Sequence, residues 1–298
     1  MAAVLAVVAA ATVYVVATTD NHQSPSLSVA AGAFASGDRL DAGIERAIFS
    51  PDASRVLGVG PDGVGLVQRG RLDLITEPGS SAVDATWMPD GASILVAEGP
   101  VIIDRLTVLT LDGEVKGVAR LDAPFSVGAG NGMTVDSRGA RAVVTTERRD
   151  PIGGRRRLDL ALVDLPTGHV TALTDTADAN EASPLFVDDS HVAFSRDGAL
   201  MELDLASRAE RALTDNASGA RPVGVIQDGR LVYAATREGR TRVFAAKATP
   251  MGTFSVATTV WSVDRSGSRA IVSQPETAPT GTTELRLRAV TLHPPSPG

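Results

Sequence analysis

The chain has 298 residues, of which 43% are hydrophobic and 21% are charged, a composition that excludes a disordered chain and a membrane protein with many spans. The 28 Lys and Arg residues are outnumbered by 35 Asp and Glu, so the net charge of −7 offers no general attraction for nucleic acid. The absence of cysteine excludes thiolate nucleophiles, disulfides and Cys-based zinc sites. The 29 glycines and 17 prolines favour many short strands joined by turns, and therefore an all-β fold.

The first element is the apolar segment of residues 1–18, which has no charged side chain and ends before Asp20. We expect it to be an apolar helix that acts as a signal peptide or membrane anchor, although no Lys or Arg precedes it. A helix buried in the folded domain is the alternative. With an anchor or signal peptide, the rest of the chain is expected to be membrane-anchored or secreted, on the extracytoplasmic side.

A repeated block follows, in which an apolar strand, a short polar turn and a second apolar strand recur six times. The turns of the six copies lie at residues 52, 90, 138, 189, 228 and 266, which gives steps of 38, 48, 51, 39 and 38 residues. Steps of this size match one blade of a β-propeller.

A second block follows the first and supplies two more strands in each unit. Its clearest copies are residues 160–175 and 200–215, in which Leu173-Thr174-Asp175 and Leu213-Thr214-Asp215 close the unit. Turns of the Asp-Gly and Pro-Gly type separate the strands, and such turns pair neighbouring strands antiparallel. Each unit is therefore expected to be a four-stranded antiparallel sheet.

These two blocks resemble the repeat of TolB-like propellers, a WD40-like (PD40-type) repeat in which one strand ends in a W-S-P-D-G-like turn and a later strand in L-T-D. Phe49-Ser50-Pro51-Asp52 and Trp87-Met88-Pro89-Asp90-Gly91 carry the resemblance best. It implies a six-bladed β-propeller over residues 44–292, and it implies no Tol function. Residues 19–43 are then a tether with a strand, and residues 293–298 are a Pro-rich tail.

The sixth unit lacks an obvious fourth strand, because its third strand near Thr283 to Val290 is followed by the sequence HPPSPG. The best donor is the stretch from Ser26 to Phe34. Its pairing with the last blade would close the ring and remove an exposed sheet edge.

Two motifs have structural interpretations that outweigh functional ones. Gly58, Gly60 and Gly63 match the GxGxxG dinucleotide pattern, but another short strand follows instead of a helix, so we interpret the motif as a hairpin turn. Carboxylates recur in the first turn of several units, and we interpret them as turn caps rather than as calcium ligands or a catalytic pair. These residues are Asp52, Asp90, Asp189 and Asp228.

The segment from Glu147 to Arg157 carries five arginines around a Gly-Pro hinge and lies between the second and third strands of the third unit. It is either a site for an acidic partner or lipid headgroups, or a solvated tip without function. The propeller topology places the same connection of every blade at one end of the ring. The candidate partner-binding residues at that end are Arg148, Arg149, Arg155, Arg156, Arg157, Arg196, Arg237 and Arg240.

Three functions remain open, one of which is a degenerate propeller that serves only as a spacer or as part of a larger complex. Another is a non-enzymatic scaffold that binds protein partners in the cell envelope, uses no cofactor and contacts the membrane only through residues 1–18. The third is a propeller enzyme of the lactonase or lyase type with a metal site at the central channel, for which Asp84, Asn131 and Glu181 are the nearest polar candidates. The sequence holds four widely spaced histidines and has no GxSxG motif, so it favours the scaffold.

Overall fold

A computed structural model describes residues 44–68, 71–99, 102–126, 132–149, 156–214, 219–245, 249–255, 258–277 and 283–292. Every regular element in these ranges is a β-strand, and the strands form six separate antiparallel sheets. This confirms the all-β, six-bladed propeller. Within the described residues five sheets have four strands and the sixth has three.

The strands of each blade follow one another in sequence from the innermost to the outermost. Blade 1 contains β1 (Arg46–Phe49), β2 (Val56–Gly60), β3 (Gly63–Gln68) and β4 (Arg71–Leu74). Blade 2 contains β5 (Ala82–Trp87), β6 (Ser93–Glu98), β7 (Ile103–Thr110) and β8 (Val115–Phe125). Blade 3 contains β9 (Met133–Val135), β10 (Arg141–Arg149), β11 (Arg156–Asp164) and β12 (His169–Ala172).

The second half of the ring repeats this order. Blade 4 contains β13 (Glu181–Phe186), β14 (His191–Arg196), β15 (Ala199–Asp204) and β16 (Glu210–Ala212). Blade 5 contains β17 (Arg221–Val225), β18 (Leu231–Arg237), β19 (Arg240–Ala245) and β20 (Thr249–Ser255). The described strands of blade 6 are β21 (Thr259–Val263), β22 (Arg269–Thr277) and β23 (Thr283–Thr291). The GxGxxG motif forms the hairpin between β2 and β3, as expected.

The hydrophobic core lies between the blades rather than inside any one of them. Along β14, Val192 and Phe194 pack against blade 3, whereas the intervening Ala193 packs against blade 5. Successive residues of a strand point to opposite faces of its sheet, so both faces of blade 4 are covered. This is why the second strands are continuous apolar runs without polar alternation.

The turn between the first and second strands is held by an aspartate in each blade, which confirms Asp52, Asp90 and Asp228 as caps. Their carboxylates accept hydrogen bonds from the backbone N–H groups of Ser54, Ala92 and Arg230. In blade 4 the cap is Asp188 and not Asp189, which was wrongly predicted. Asp189 instead accepts a hydrogen bond from Ser137 Oγ of blade 3 at 2.7 Å and so links two blades.

Arginines at these turns join neighbouring blades. Arg55 donates to the Gly91 carbonyl of blade 2, Arg141 to the Asp189 carbonyl of blade 4, and Arg269 of blade 6 to the Ala53 carbonyl of blade 1. Phe49 N also donates to Ser262 Oγ at 3.1 Å, so blades 1 and 6 are in direct contact.

The threonine of the L-T-D block has a defined role. The hydroxyl oxygens of Thr76, Thr174 and Thr214 accept hydrogen bonds from the backbone N–H groups of Val64, Leu160 and Leu200. All three threonines are buried, and each satisfies an N–H group of the third strand of its blade.

The predicted apolar helix at residues 1–18 and the ring-closing strand between Ser26 and Phe34 lie outside the described residues, as does the tail at 293–298. In the part of the chain that is described, no helix has the length and apolar character needed to cross a membrane.

Deletion of residues 26–43 tests the predicted ring closure. If these residues supply the fourth strand of blade 6, their loss exposes the edge of β23, and we expect a large fall in melting temperature or loss of cooperative unfolding, measured by circular dichroism. Deletion of residues 293–298 is the control and should leave the transition unchanged. A 26–43 deletion that melts like the full chain would show that the ring closes in another way.

Replacement of Thr174 by valine tests the role of the L-T-D threonine. Valine has the same shape but leaves the buried Leu160 N–H without its 2.9 Å acceptor, so the free energy of unfolding should fall by about 1–3 kcal/mol. Urea denaturation measures the change. Thr171→Val, at a half-buried position of β12, should cost clearly less, and equal losses for the two variants would contradict the assigned role.

Candidate functional site

The innermost strands β1, β5, β9, β13, β17 and β21 surround the central channel. Three of them begin with a charged residue: Arg46 in β1, Glu181 in β13 and Arg221 in β17. These residues lie toward the end of the ring that carries the turns between second and third strands, which we call the hairpin end. The pairing of Arg46 with Val59 and of Glu181 with Arg196, next to such turns, establishes this position.

Arg46 is part of a buried network that spans three blades. Its Nη1 atom lies 2.5 Å from Asp84 Oδ1 of blade 2, and its Nη2 atom donates to the Met133 carbonyl of blade 3 at 3.2 Å. Asp84 also accepts a hydrogen bond from the Ala85 N–H at 2.8 Å. The side chains of Arg46 and Asp84 are only 15% and 6% exposed, so this ion pair is largely removed from water.

Arg221 has a different environment. Its guanidinium donates to the Val260 carbonyl and lies 5.4 Å from the centre of the Trp261 ring, in cation–π contact. No carboxylate pairs with it among the described residues. Burial, followed by repulsion from Arg46, lowers the pKa of Arg221 to about 10, so the group is still charged at neutral pH.

A cavity of about 90 Å³ lies between these two arginines. Its wall contains both guanidinium-bearing residues together with apolar and aromatic side chains from blades 3 to 6, among them Met133, Pro184, Val223 and Trp261. β-Bulges interrupt the pairing of β13, β17 and β21 at the last three of these positions. Bulges turn side chains out of the regular alternation, and here they bring Pro184, Val223 and Trp261 to the cavity.

Glu181 lies at the same end but in a separate cluster. It is fully buried and accepts hydrogen bonds from Arg196 Nε at 2.8 Å and Thr176 Oγ1 at 2.7 Å. Arg196 also forms two hydrogen bonds with Glu210. The hydrogen bond to Glu210, followed by the one to Glu181, raises the pKa of Arg196 against the opposing effect of burial.

The enzyme hypothesis required Asp84, Asn131 and Glu181 to form a common metal site. Asp84 and Glu181 instead bind two different arginines, and Asn131 lies outside the described residues. Within the described ranges, no group of three or more His, Asp or Glu side chains is close enough together to hold a metal ion.

The basic segment of blade 3 forms a long hairpin of β10 and β11, which pair over nine residues each. At its tip the backbone register places Arg148 opposite Arg157 and Arg149 opposite Arg156. Arg148 forms ion pairs with the buried Asp159 at 3.0 Å and with the exposed Asp175. The hydrogen bond to Asp175 is the main reason why the pKa of Arg148 is raised. Arg155 lies outside the described residues.

The other predicted arginines are distributed over neighbouring blades. Arg196 forms ion pairs in the carboxylate cluster described above, whereas Arg237 and Arg240 pair in register across the exposed turn between β18 and β19.

Asn180 shows that the hairpins of blades 3 and 4 share one end of the ring. Its side chain accepts a hydrogen bond from Leu158 N of blade 3, and its backbone N–H donates to Asp197 of blade 4.

Sequence reasoning did not identify Arg46 and Arg221, since it treated the innermost strands as apolar apart from Asp84, Asn131 and Glu181. Their signal is a single arginine at the start of an otherwise apolar innermost strand, as in Arg46-Ala-Ile-Phe and Arg221-Pro-Val-Gly-Val. A charge at such a position must find a partner, because an isolated buried charge is costly.

Neither a protein-family model nor a curated protein matches the chain. Among solved structures, an oligogalacturonate lyase in complex with manganese is 17% identical, with 81% of this chain and 76% of that chain covered and a TM-score of 0.57. The Cps50 (Swd1) propeller domain of Myceliophteria thermophila is 12% identical, with 85% of this chain and 88% of that chain covered and a TM-score of 0.55. A putative TolB from Agrobacterium tumefaciens is 14% identical, with 83% of this chain and 88% of that chain covered and a TM-score of 0.50. At these identities the likeness confirms the TolB-like and WD40-like propeller fold.

Replacement of Asp84 by asparagine tests the channel ion pair. The substitution leaves Arg46 charged and buried without its counter-ion, so the free energy of unfolding should fall by about 3 kcal/mol, measured by urea denaturation. The double variant Asp84→Asn/Arg46→Gln should recover part of that loss, because it removes both charges together. An Asp84→Asn protein that is as stable as the parent chain would contradict this role of Asp84.

Proposed function

We propose that the protein is a non-enzymatic binding protein of the cell envelope, tethered to the membrane or exported by residues 1–18, whose propeller docks an acidic protein partner. The arginine hairpin formed by β10 and β11 is the observation that carries the proposal. The hairpin end of the ring is the docking surface in this proposal.

The energetics of the hairpin tip support this role. Like charges directly opposite each other on paired strands destabilise a hairpin, and here two successive cross-strand positions are occupied by arginine on both sides. The ion pairs of Arg148 with Asp159 and Asp175 hold the hairpin to the body of blade 3. An acidic partner would offset the like charge at the tip and form bidentate guanidinium–carboxylate contacts there.

The charge of the whole chain makes the hairpin distinctive. The net charge is −7, so a concentration of arginines on one blade stands against an acidic background and orients an approaching acidic surface. Arg237 and Arg240 add positive charge at the same end on blade 5.

The enzyme alternative receives less support from the channel. Asp84 and Glu181 are the carboxylates that a channel metal would need, and each is engaged by an arginine at short distance. A metal ion would have to displace a guanidinium from a buried carboxylate to bind there. The oligogalacturonate lyase in complex with manganese is similar to this chain in fold. A shared fold does not imply a shared reaction, which would also require the same metal-binding residues.

The double variant Arg149→Gln/Arg156→Gln tests the docking surface and leaves the structural ion pairs of Arg148 intact. Proteins captured from envelope extracts by the full-length chain are quantified by mass spectrometry. We expect the main partner to be recovered about tenfold less, because the variant loses charge-assisted hydrogen bonds. The partner should also dissociate as salt is raised.

The matched control is Arg71→Gln/Arg120→Gln, which makes the same change in charge on exposed outermost strands of blades 1 and 2. This control should capture the partner as the parent chain does. Equal capture by the hairpin variant and the control would exclude the hairpin as a docking site.

A further inference from the structure

We propose that the cavity between Arg46 and Arg221 binds an oxyanion group, a carboxylate or phosphate, carried by a small ligand or by the end of a larger one. This site is in the central channel and involves none of the arginines of the blade 3 hairpin. It goes beyond the proposed docking function and stands or falls independently of it.

The balance of charge in the cavity favours an anion. Two guanidinium groups line the cavity, and Asp84 is the one described carboxylate that pairs with either of them. Arg46 is neutralised by that pair, so the charge of Arg221 is left uncompensated in the described part of the chain. A buried charge without a counter-ion is costly, and an anion in the cavity would supply the missing partner.

The hydrogen-bonding capacity of Arg221 also favours an anion. A guanidinium has five N–H donors in a planar fork, and the described contacts of Arg221 use this capacity for the Val260 carbonyl only. The Trp261 ring, 5.4 Å away, holds the guanidinium in place from one side. Such a group is prepared for bidentate contact with a carboxylate or phosphate.

Arg46 would position the anion rather than serve as its main partner. Its contacts to Asp84, Ala85 and Met133 already fix it between three blades. Its positive charge still lies close enough to affect the pKa of Arg221, so both groups contribute to the potential in the cavity.

The size and wall of the cavity limit the ligand. A volume of about 90 Å³ is well below the roughly 300–1,000 Å³ of sites for drug-sized molecules, so the channel would admit one small acidic group. Met133, Pro184, Val223 and Trp261 form an apolar wall, which favours an oxyanion attached to a short hydrocarbon part. Propionate and inorganic phosphate are the probes that separate a carboxylate from a phosphate ligand.

The experiment titrates the full-length protein with propionate, inorganic phosphate or chloride, and with propionamide as the neutral analogue of propionate. Binding is followed by thermal shift and by the indole N–H signals of the two tryptophans in ¹⁵N-labelled protein. We expect one of the two oxyanions to raise the melting temperature saturably and to move the Trp261 signal, whereas propionamide does neither. Arg221→Gln should weaken this binding about tenfold or more.

Arg230→Gln is the matched control, since it removes the same charge from the same blade at an exposed turn where Arg230 pairs with Asp228. It should bind the probe as the parent chain does. Without any probe, Arg221→Gln should be at least as stable as the parent chain, because it removes a half-buried charge that has no counter-ion among the described residues.

Two results would overturn the proposal. One is the absence of a saturable response to both oxyanions in the parent chain. The other is an equal response in Arg221→Gln and the parent chain, which would place the anion elsewhere. Arg221→Lys is the second variant, because it keeps the charge but loses the planar fork, and it should bind the probe more weakly while remaining folded.

Discussion

The need to cover both faces of every sheet governs the architecture of this protein. The second strand of each blade sends alternate apolar side chains to the blade before and the blade after, as Val192, Ala193 and Phe194 do in blade 4. A single blade would expose two apolar faces to water, so its stability depends on its neighbours. Contact of a blade with two neighbours meets this requirement, and the hydrogen bond from Phe49 N to Ser262 Oγ joins blade 1 to blade 6.

Features that depend on local chemistry could be predicted from the sequence. The Asp caps, the hairpin turns and the L-T-D threonines act within one blade, and each recurs with a period close to 40 residues, so repetition revealed them. Blade 4 shows the limit of this approach. Two adjacent aspartates occupy its turn, and only the structure shows that Asp188 caps the turn while Asp189 reaches Ser137 of the preceding blade.

The channel site could not be predicted in the same way, because it has no period. Its bulges at Pro184, Val223 and Trp261 each add an unpaired residue to an innermost strand, and no local signal in the sequence fixes their positions. The partner of Asp84, Arg46, is not among the residues predicted from the sequence, and Arg196 is predicted as a partner-binding residue rather than as the counter-ion of Glu181. The sequence presents these carboxylates as candidate metal ligands, whereas in the structure Arg46 and Arg196 neutralise them.

The distribution of charge in the ring separates structural ion pairs from groups that are available for binding. Asp136 with Arg141 and Asp264 with Arg269 form equivalent pairs within their blades, and these pairs hold the turns that bridge to the next blade. Such pairs satisfy their own charges and leave little for a ligand. Among the described residues Arg221 in the channel departs from this rule, and it lies toward the same end of the ring as the hairpin tip of blade 3. A partner that docks on the hairpin end would therefore lie over the channel, where an acidic group of that partner would have access to Arg221, which has no counter-ion in the described part of the chain.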